Sequence, residues 1–366
     1  QKGVYSMKIW EIPTPALILE EPVMQENRKK MAAIVEKAGV ALRPHYKSHK
    51  SKQLAKMQMA DGAKGLAAAK LGEAEDLVEA GISDVLIANE ITQPSKIAKV
   101  AELAKQSRIT VCVDQIQNVK DLSEAAQQAG STIYVFVEYN IGQNRCGVDT
   151  FEECYTLAKA VTEAEGLVFD GIEAYAGHLA HEYDYDKRYA ATMVIEDTLR
   201  ALKQYLEERA IPVKEISGVS TGTVTFRAQM ENMECSGSMY TEVQPGSYLF
   251  MDSAYNQVGL SFQSSLFLLA SVISTKKDLV VTDAGLKTAS VDMGTPVLVG
   301  YPEAKSDMSE EHISHVITDH PFHINDLVRY IPSHCCTTVN LHDRIYLVRG
   351  EDVLDVIQVD SRGKSY

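Results

Sequence analysis

The chain has 366 residues, in which 36 basic and 50 acidic side chains leave a net charge of −14. This acidic balance argues against binding to nucleic acid or to an anionic membrane, both of which require a basic patch. With 45% hydrophobic and 23% charged residues, the composition is that of an ordinary globular protein. One core rarely serves so long a chain, so we expect one large α/β unit and a smaller domain.

The N-terminal segment and the cysteines favour a cytoplasmic protein. The first twelve residues contain Lys2, Lys8 and Trp10 and lack the apolar core of a signal peptide. Gln1 is not an initiator residue, so we expect the native chain to start at Met7. No run approaches the roughly 20 apolar residues that span a bilayer. The cysteines have no regular spacing, which predicts reduced thiols at Cys112, Cys146, Cys154, Cys235, Cys335 and Cys336.

Short β-rich runs alternate with longer helical patterns from about residue 38 to residue 250. The β-rich runs cover residues 40–45, 65–69, 84–88, 108–113, 132–138, 168–175, 214–219 and 240–244. The helical patterns cover residues 51–60, 71–80, 95–106, 116–129, 150–164 and 185–209. Eight β-rich runs that alternate with helical patterns over about 210 residues predict a (β/α)8 barrel of the TIM type. A doubly wound open sheet is the alternative, but no G-x-G-x-x-G follows the first strand.

The pattern changes after about residue 262. Short β-like runs divided by polar turns cover residues 265–275, 278–282, 295–300, 326–331 and 344–349. Long helical patterns are absent there, so we expect residues 1–262 to form the barrel and residues 263–366 a smaller, mostly β domain. The early run at residues 16–20 can join either domain.

Lys47 is the candidate nucleophile of the barrel. It follows the first strand, and reactive residues gather at the carboxyl ends of barrel strands because the βα loops converge there. Crowding by Arg43 and two histidines favours the neutral amine that Schiff-base chemistry requires. The alternative is a surface lysine in a basic loop, which we prefer for Lys50.

A run of small residues after the seventh strand suits a phosphate group. It consists of Ser220, Thr221, Gly222 and Thr223. Hydroxyl groups around a glycine offer side-chain and backbone donors together, and phosphate sites in barrels often follow strands 7 and 8. The alternative is an ordinary helix N-cap. A lysine together with a phosphate site predicts pyridoxal phosphate, linked as an imine.

His334 and Cys336 form the candidate metal site. On an extended strand, residues two apart point to the same face, so these two side chains can share one metal ion. Imidazole and thiolate suit Zn²⁺, and two protein ligands would leave positions for water and substrate. The alternative is a core pair of cysteines beside a surface histidine.

These motifs together resemble the D-threonine aldolase and D-serine dehydratase family of fold-type III pyridoxal phosphate enzymes, relatives of alanine racemase. The motifs occur in the family order at residues 44–50 (PHYKSHK), 142–147 (GQNRCG), 220–223 (STGT), 244–248 (QPGSY), 283–287 (DAGLK) and 334–340 (HCCTTVN). They span nearly the whole chain. The resemblance implies a homodimer that acts on a small D-amino acid.

The resemblance also implies a role for individual residues. Lys47 would carry the cofactor as an imine, Arg145 would lie near the cofactor phenolate oxygen, and Tyr175 would face the pyridine nitrogen. Thr221, Gly222 and Thr223 would hold the phosphate, with Tyr248. His181 would sit near the substrate hydroxyl. His334 and Cys336 match the metal ligands that distinguish the aldolases and dehydratases from alanine racemase.

The implied activity is that of a metal-dependent lyase on β-hydroxy-D-amino acids. If His181 removes the hydroxyl proton, the Cα–Cβ bond breaks to give glycine and an aldehyde. If Lys47 removes the α-proton instead, a D-serine-like substrate is dehydrated to a 2-oxo acid and ammonia. The family aldolases have aspartate at the second ligand position, whereas this chain has Cys336, as the zinc-dependent dehydratases do.

We place retro-aldol cleavage of D-threonine-like substrates first and dehydration second, with Zn²⁺ as the expected metal and Mn²⁺ as the alternative. An amino-acid racemase, which needs no metal, is a further alternative. A non-catalytic pyridoxal phosphate carrier is another, but such carriers consist of the barrel alone.

Overall fold

The structure, a computed structural model, describes residues 7–230 and 237–366. The expectations about the first six residues and about Cys235 fall outside these ranges. The other five cysteines are free thiols. Across the described ranges, no helix is both long enough and apolar enough to cross a membrane.

The chain divides into two compact units. The first, here called the β unit, contains Gln1–Lys30, Ser48–Gln53 and Ser247–Gly363. The second, here called the barrel unit, contains Met31–Lys47, Leu54–Gly246 and Lys364–Tyr366. This division assigns residues 247–262 to the β unit, whereas the sequence places the domain boundary after residue 262. The domain boundary itself stays a prediction.

The described elements alternate in the first two thirds of the chain and are mostly strands afterwards. The strands are β1 (Ala16–Glu20), β2 (Ala41–Leu42), β3 (Leu66–Ala68), β4 (Asp84–Glu90), β5 (Arg108–Val113), β6 (Ile133–Glu138), β7 (Leu167–Ala174), β8 (Glu215–Gly218), β9 (Glu242–Val243), β10 (Leu266–Lys276), β11 (Leu279–Thr282), β12 (Val297–Leu298), β13 (Ser306–Met308), β14 (Ile313–Val316), β15 (Leu327–Ile331), β16 (Arg344–Arg349) and β17 (Asp352–Gln358). The helices are α1 (Glu21–Ala38), α2 (Lys52–Ala60), α3 (Leu71–Glu79), α4 (Pro94–Leu103), α5 (Ile116–Ala129), α6 (Phe151–Glu163), α7 (Tyr185–Glu207), α8 (Val224–Gln229), α9 (Ser253–Asn256) and α10 (Cys335–Val339).

The barrel unit contains a parallel sheet of eight strands in the order β2-β9-β8-β7-β6-β5-β4-β3. A bridge between His45 and Ala67 joins the two ends of this order, so the sheet closes on itself. The strands are short apolar runs because both faces are covered; in β5, all residues after Arg108 are buried. The predicted (β/α)8 barrel is confirmed.

Local signals set the helix ends in the barrel unit. α5 ends at Gly130, whose φ of 66° is the left-handed conformation that a C-terminal cap requires. α6 begins after Thr150, whose side chain accepts the backbone N–H of Glu153. The sequence analysis missed α1, an 18-residue helix that carries Pro22 near its start.

The β unit is built on one sheet of nine strands. Its main path is β13-β14-β11-β10-β1-β16-β17, and β15 pairs with β10 and β12. The early strand β1 pairs antiparallel with β10 and parallel with β16, so the run at residues 16–20 belongs to this sheet. Its core includes Ile18, Leu269 and Val348. The mostly β character predicted for the C-terminal region is confirmed.

Candidate active site

A cavity lies in the barrel unit, where residues at and beyond the carboxyl ends of several strands converge. Its volume is about 150 Å³. Its lining residues are His45, Lys47, Ala69, Ala88, Asn89, Arg145, Cys146, Glu173, Tyr175 and Gln244. The cavity therefore brings together three of the residues singled out from the sequence, namely Lys47, Arg145 and Tyr175.

Lys47 reaches the cavity from a short helical turn after β2. The backbone N–H of Lys47 donates to His45 Nδ1 at 3.4 Å. The Lys47 ammonium nitrogen lies 5.8 Å from the centre of the Tyr175 ring, within the range of a cation–π contact. Tyr175 directly follows β7, which explains why a residue so distant in sequence meets Lys47.

The expected crowding of Lys47 by Arg43 is wrong. The Arg43 guanidinium donates to Glu242 and Asp84, each at 2.8 Å. Those two carboxylates begin β9 and β4, so Arg43 is directed to the amino ends of the strands, away from the end at which Lys47 lies. Lys50, expected on the surface, is also buried.

Buried acidic residues that were not predicted from the sequence include one, Glu173, that lines the cavity. Glu173 is 2% exposed, and its two carboxylate oxygens accept from Gln244 Nε2 at 3.1 and 2.8 Å. Burial raises the pKa of Glu173 to about 8. Burial and the nearby Glu90 raise the pKa of Glu138, the last residue of β6, to about 10. A signal for Glu173 existed in the sequence, because a charged residue stands in an apolar strand two positions before Tyr175.

A second acidic group includes a cysteine of the cavity. Within the described ranges, one set of three side chains could hold a metal ion: Glu90, Asp114 and Cys146, whose ligand atoms lie within 4.8 Å of one another. However, burial, followed by the charge of Glu90, raises the pKa of Cys146 to about 12. Cys146 is therefore a thiol, and not the thiolate that a metal prefers.

The predicted phosphate residues form a buried turn between β8 and α8. Val219, a β-branched residue, adopts a φ of 70° directly before this turn, a strained conformation that is often found at functional sites. Ser220, Thr221 and Thr223 are almost fully buried. A Cβ on Gly222 would lie 2.2 Å from the carbonyl oxygen of Ala180, so only glycine fits.

The hydroxyl groups of this turn suit an anionic group better than the alternative role of helix capping. Thr223 occupies the N-cap position of α8, but its side chain makes no capping hydrogen bond. The buried Ser220 hydroxyl has no hydrogen-bond partner among the described residues. An unused buried donor is costly unless a ligand accepts from it, so the turn fits the phosphate of pyridoxal phosphate.

Like residues 220–223, the predicted residues His181 and Tyr248 are not among the residues that line the cavity. His181 follows the short turn Gly177–Leu179 in the barrel unit and is partly buried. Tyr248 belongs to the β unit, where it is 1% exposed and its ring packs 5.9 Å from that of Phe262.

The predicted metal residues lie in the β unit, but not on a strand. His334 is the N-cap residue of α10, and Cys336 lies in its first turn. The prediction of an extended strand is wrong because the buried Asp252 carboxylate accepts the backbone N–H of Cys335 at 2.8 Å and so stabilises the helix start.

The two side chains nevertheless have the chemistry of metal ligands. Hydrogen bonds from Cys335 and His334 hold the pKa of the Cys336 thiol well below its ordinary value, although burial opposes this. The Cys336 sulfur also lies 3.4 Å from the Ser48 hydroxyl oxygen. Burial lowers the pKa of His334, but Cys336 and Asp292 more than compensate and raise it to about 9. A thiolate beside an imidazole is a donor set that fits Zn²⁺.

Comparisons with known proteins agree with this architecture. The family model for the alanine racemase N-terminal domain matches residues 22–254, and a second model, "Putative serine dehydratase domain", matches residues 265–348. A 3-hydroxy-D-aspartate aldolase of Paracoccus denitrificans (strain Pd 1222) is 37% identical over 97% of this chain and 94% of its own length. A D-threonine aldolase of Arthrobacter sp is 36% identical over the same shares of the two chains.

Comparison with a solved structure shows that the similarity to D-threonine aldolases extends to the fold. The crystal structure of D-threonine aldolase from Filomicrobium marinum superposes with a TM-score of 0.93 at 36% identity, covering 99% of both chains. The chain therefore belongs to the D-threonine aldolase and D-serine dehydratase family of alanine racemase-like, pyridoxal phosphate-dependent enzymes.

Proposed function

We propose that the chain is a lyase that cleaves β-hydroxy-D-amino acids between Cα and Cβ, releasing glycine and an aldehyde. The observation that carries this choice of reaction is the similarity, over 97% of the chain, to two aldolases. Their names indicate D-threonine and 3-hydroxy-D-aspartate as the substrates to test first.

The cavity in the barrel unit supports the assignment of residues to the cofactor. Pyridoxal phosphate supplies an electron sink for the bond that breaks at the substrate Cα. Lys47 would provide the amine that holds the cofactor, and Arg145 and Tyr175 would flank it. Ser220, Thr221, Gly222 and Thr223 would hold its phosphate. His181 would accept the hydroxyl proton, and Tyr248 would be a further phosphate contact.

We propose in addition a divalent metal, Zn²⁺ before Mn²⁺, on His334 and Cys336. A metal there would act as a Lewis acid toward a hydroxyl group. The lowered pKa of the Cys336 thiol supports this site, because metals bind the thiolate.

Product analysis separates the candidate reactions. Purified protein is incubated with D-threonine, D-allo-threonine, 3-hydroxy-D-aspartate and D-serine, with and without added Zn²⁺ or Mn²⁺. We expect glycine and the matching aldehyde from the first three. A 2-oxo acid with ammonia would instead establish the dehydratase, which the match to the serine dehydratase domain model supports as the second candidate. Racemisation that survives chelation would overturn both.

Replacing Lys47 tests the cofactor assignment. Lys47→Ala is expected to lose the yellow absorbance of the bound cofactor and at least about 1000-fold in turnover, because the covalent link is removed. Lys105→Ala, which removes a lysine with a 41% exposed side chain, is the control and should behave as wild type. Retention of the borohydride-sensitive absorbance in Lys47→Ala would contradict the assignment.

We also propose that the chain forms a homodimer. Several large apolar side chains of the β unit are exposed, and contact with a second copy would remove some of them from water. They are Leu286, Val291, Met293, Val299, Val316 and Ile324. Light scattering on the purified protein should give twice the chain mass of 40.3 kDa. The cytoplasmic location stays a prediction, which cell fractionation can test.

A further inference from the structure

Asp292 holds the ring of the proposed metal ligand His334 in a defined orientation. Asp292 Oδ2 lies 2.6 Å from His334 Nδ1. A carboxylate can only accept a hydrogen bond, so at this distance Nδ1 carries the proton and donates. In a neutral imidazole, Nε2 then has the lone pair that binds a metal.

Asp292 is itself held in place. Its other oxygen, Oδ1, accepts from the Ser290 hydroxyl at 2.6 Å and from the Thr337 hydroxyl at 2.9 Å. Three hydrogen bonds thus fix a carboxylate whose side chain is 43% exposed. Thr337 belongs to α10, the helix that His334 caps, so the contact connects the loop after β11 to the metal residues.

The loop that carries Asp292 is bonded to the same region through its backbone. The N–H of Ser290 donates to the Thr338 hydroxyl at 3.2 Å, and the Ser333 hydroxyl donates to the carbonyl of Ser290 at 3.1 Å. These bonds set the position of the loop that carries Asp292 independently of its contact with His334. Pre-positioning of this kind lowers the entropy that is lost when the ligands are ordered.

We propose that Asp292 is the positioning residue of the metal site: it fixes the tautomer and the ring orientation of His334 so that Nε2 and the Cys336 thiolate bind one Zn²⁺. In this arrangement Asp292 does not contact the metal. The inference rests on the proposed metal site at His334 and Cys336. Carboxylates that orient metal-binding histidines typically contribute a factor of about 10 to 100 to metal affinity.

Zinc affinity, measured on the full-length holoenzyme by competition with a chromogenic chelator, tests the proposal. Asp292→Ala should weaken Zn²⁺ binding by roughly 10- to 100-fold, and Asp292→Asn by less, because the amide oxygen can still accept from Nδ1. The cobalt-substituted protein provides a second measurement: Asp292→Ala should shift the visible ligand-field bands of Co²⁺, since the imidazole is no longer held.

Two controls separate this role from general destabilisation. Asp343→Asn changes another aspartate of the β unit, one that binds Arg362, and should leave Zn²⁺ affinity within about twofold. Thermal unfolding of the metal-free variants should match the wild type, because Asp292 is partly exposed. An affinity within twofold of wild type, with unshifted cobalt bands, in Asp292→Ala would overturn the proposal.

A variant of His334 distinguishes an error in the proposed metal site from an error in the proposed role of Asp292. His334→Ala should abolish tight Zn²⁺ binding. If His334→Ala keeps wild-type Zn²⁺ affinity, then the proposed metal site is wrong, and the proposed role of Asp292 is wrong as well. If His334→Ala loses binding while Asp292→Ala does not, then only the positioning role is wrong.

Discussion

Glu138 lies at the end of β6 and has a strongly raised pKa. Burial is the largest cause, followed by the nearby Glu90, and together they move the pKa from 4.5 to about 10. A buried acid of this kind stays protonated in the folded state while the unfolded chain loses its proton above pH 4.5. The folded state therefore loses stability as the pH rises from 4.5 towards 10.

Glu138→Gln should remove this loss, because glutamine is neutral at every pH. We expect little change in Tm at pH 5 and an increase of roughly 2–6 °C at pH 8.5. Glu163→Gln, at a side chain that is 67% exposed, is the control and should show no pH-dependent difference. An equal change in Tm at both pH values would contradict this explanation.

Some residues of the candidate site could be predicted from the sequence, and others could not. Lys47 stood out because a lysine after a barrel strand, beside histidines, is unusual. Glu173 did not stand out, because its raised pKa depends on burial, and its partner Gln244 is 71 positions away in the sequence. The direction of Arg43 was also misjudged, since its acidic partners start strands far along the chain.

At the scale of elements, a buried ion pair connects strands of the barrel. Arg43 and Glu242 are both almost fully buried, and Lys64 also reaches Glu242 at 3.0 Å. Burial would lower the pKa of Arg43, but Glu242 and Asp84 raise it above its ordinary value. Arg43 directly follows β2, and Glu242 and Asp84 are the first residues of β9 and β4, so these contacts join the three strands.

Removing one partner should destabilise the barrel unit strongly. Arg43→Met is expected to cost about 3–5 kcal/mol in the free energy of unfolding, because it leaves buried carboxylates without their main counter-charge. Arg200→Met removes an exposed pair with Asp197 on α7 and should change stability by less than about 0.5 kcal/mol. Urea unfolding of both variants measures the difference, and equal midpoints would refute the role of the buried pair.

The sequence anticipated most elements because their signals are local. The predicted helix at residues 116–129 coincides with α5, and the predicted strand at residues 108–113 coincides with β5. The segment around His334 was mispredicted as a strand. Its helix start depends on Asp252, which is 83 positions away, and no local pattern encodes that contact.

At the scale of the whole molecule, the proposed cofactor residues Lys47, Arg145 and Tyr175 belong to the barrel unit, and the proposed metal residues belong to the β unit. Chelation should therefore lower lyase turnover at least about 100-fold, a loss typical of Lewis-acid removal, while the cofactor absorbance stays unchanged. Added Zn²⁺ should restore turnover. Full lyase turnover after verified metal removal would refute the metal requirement.

The sequence by itself determined the barrel, the β domain, the family and the motifs, because apolar periodicity and short motifs are local properties of the chain. The tertiary structure decided which charged groups share a cavity, which carboxyl groups stay protonated and which way Arg43 points. It also decided that Asp292 contacts His334. These features depend on burial and on contacts between residues distant in sequence, which exist only once the strands and loops have come together.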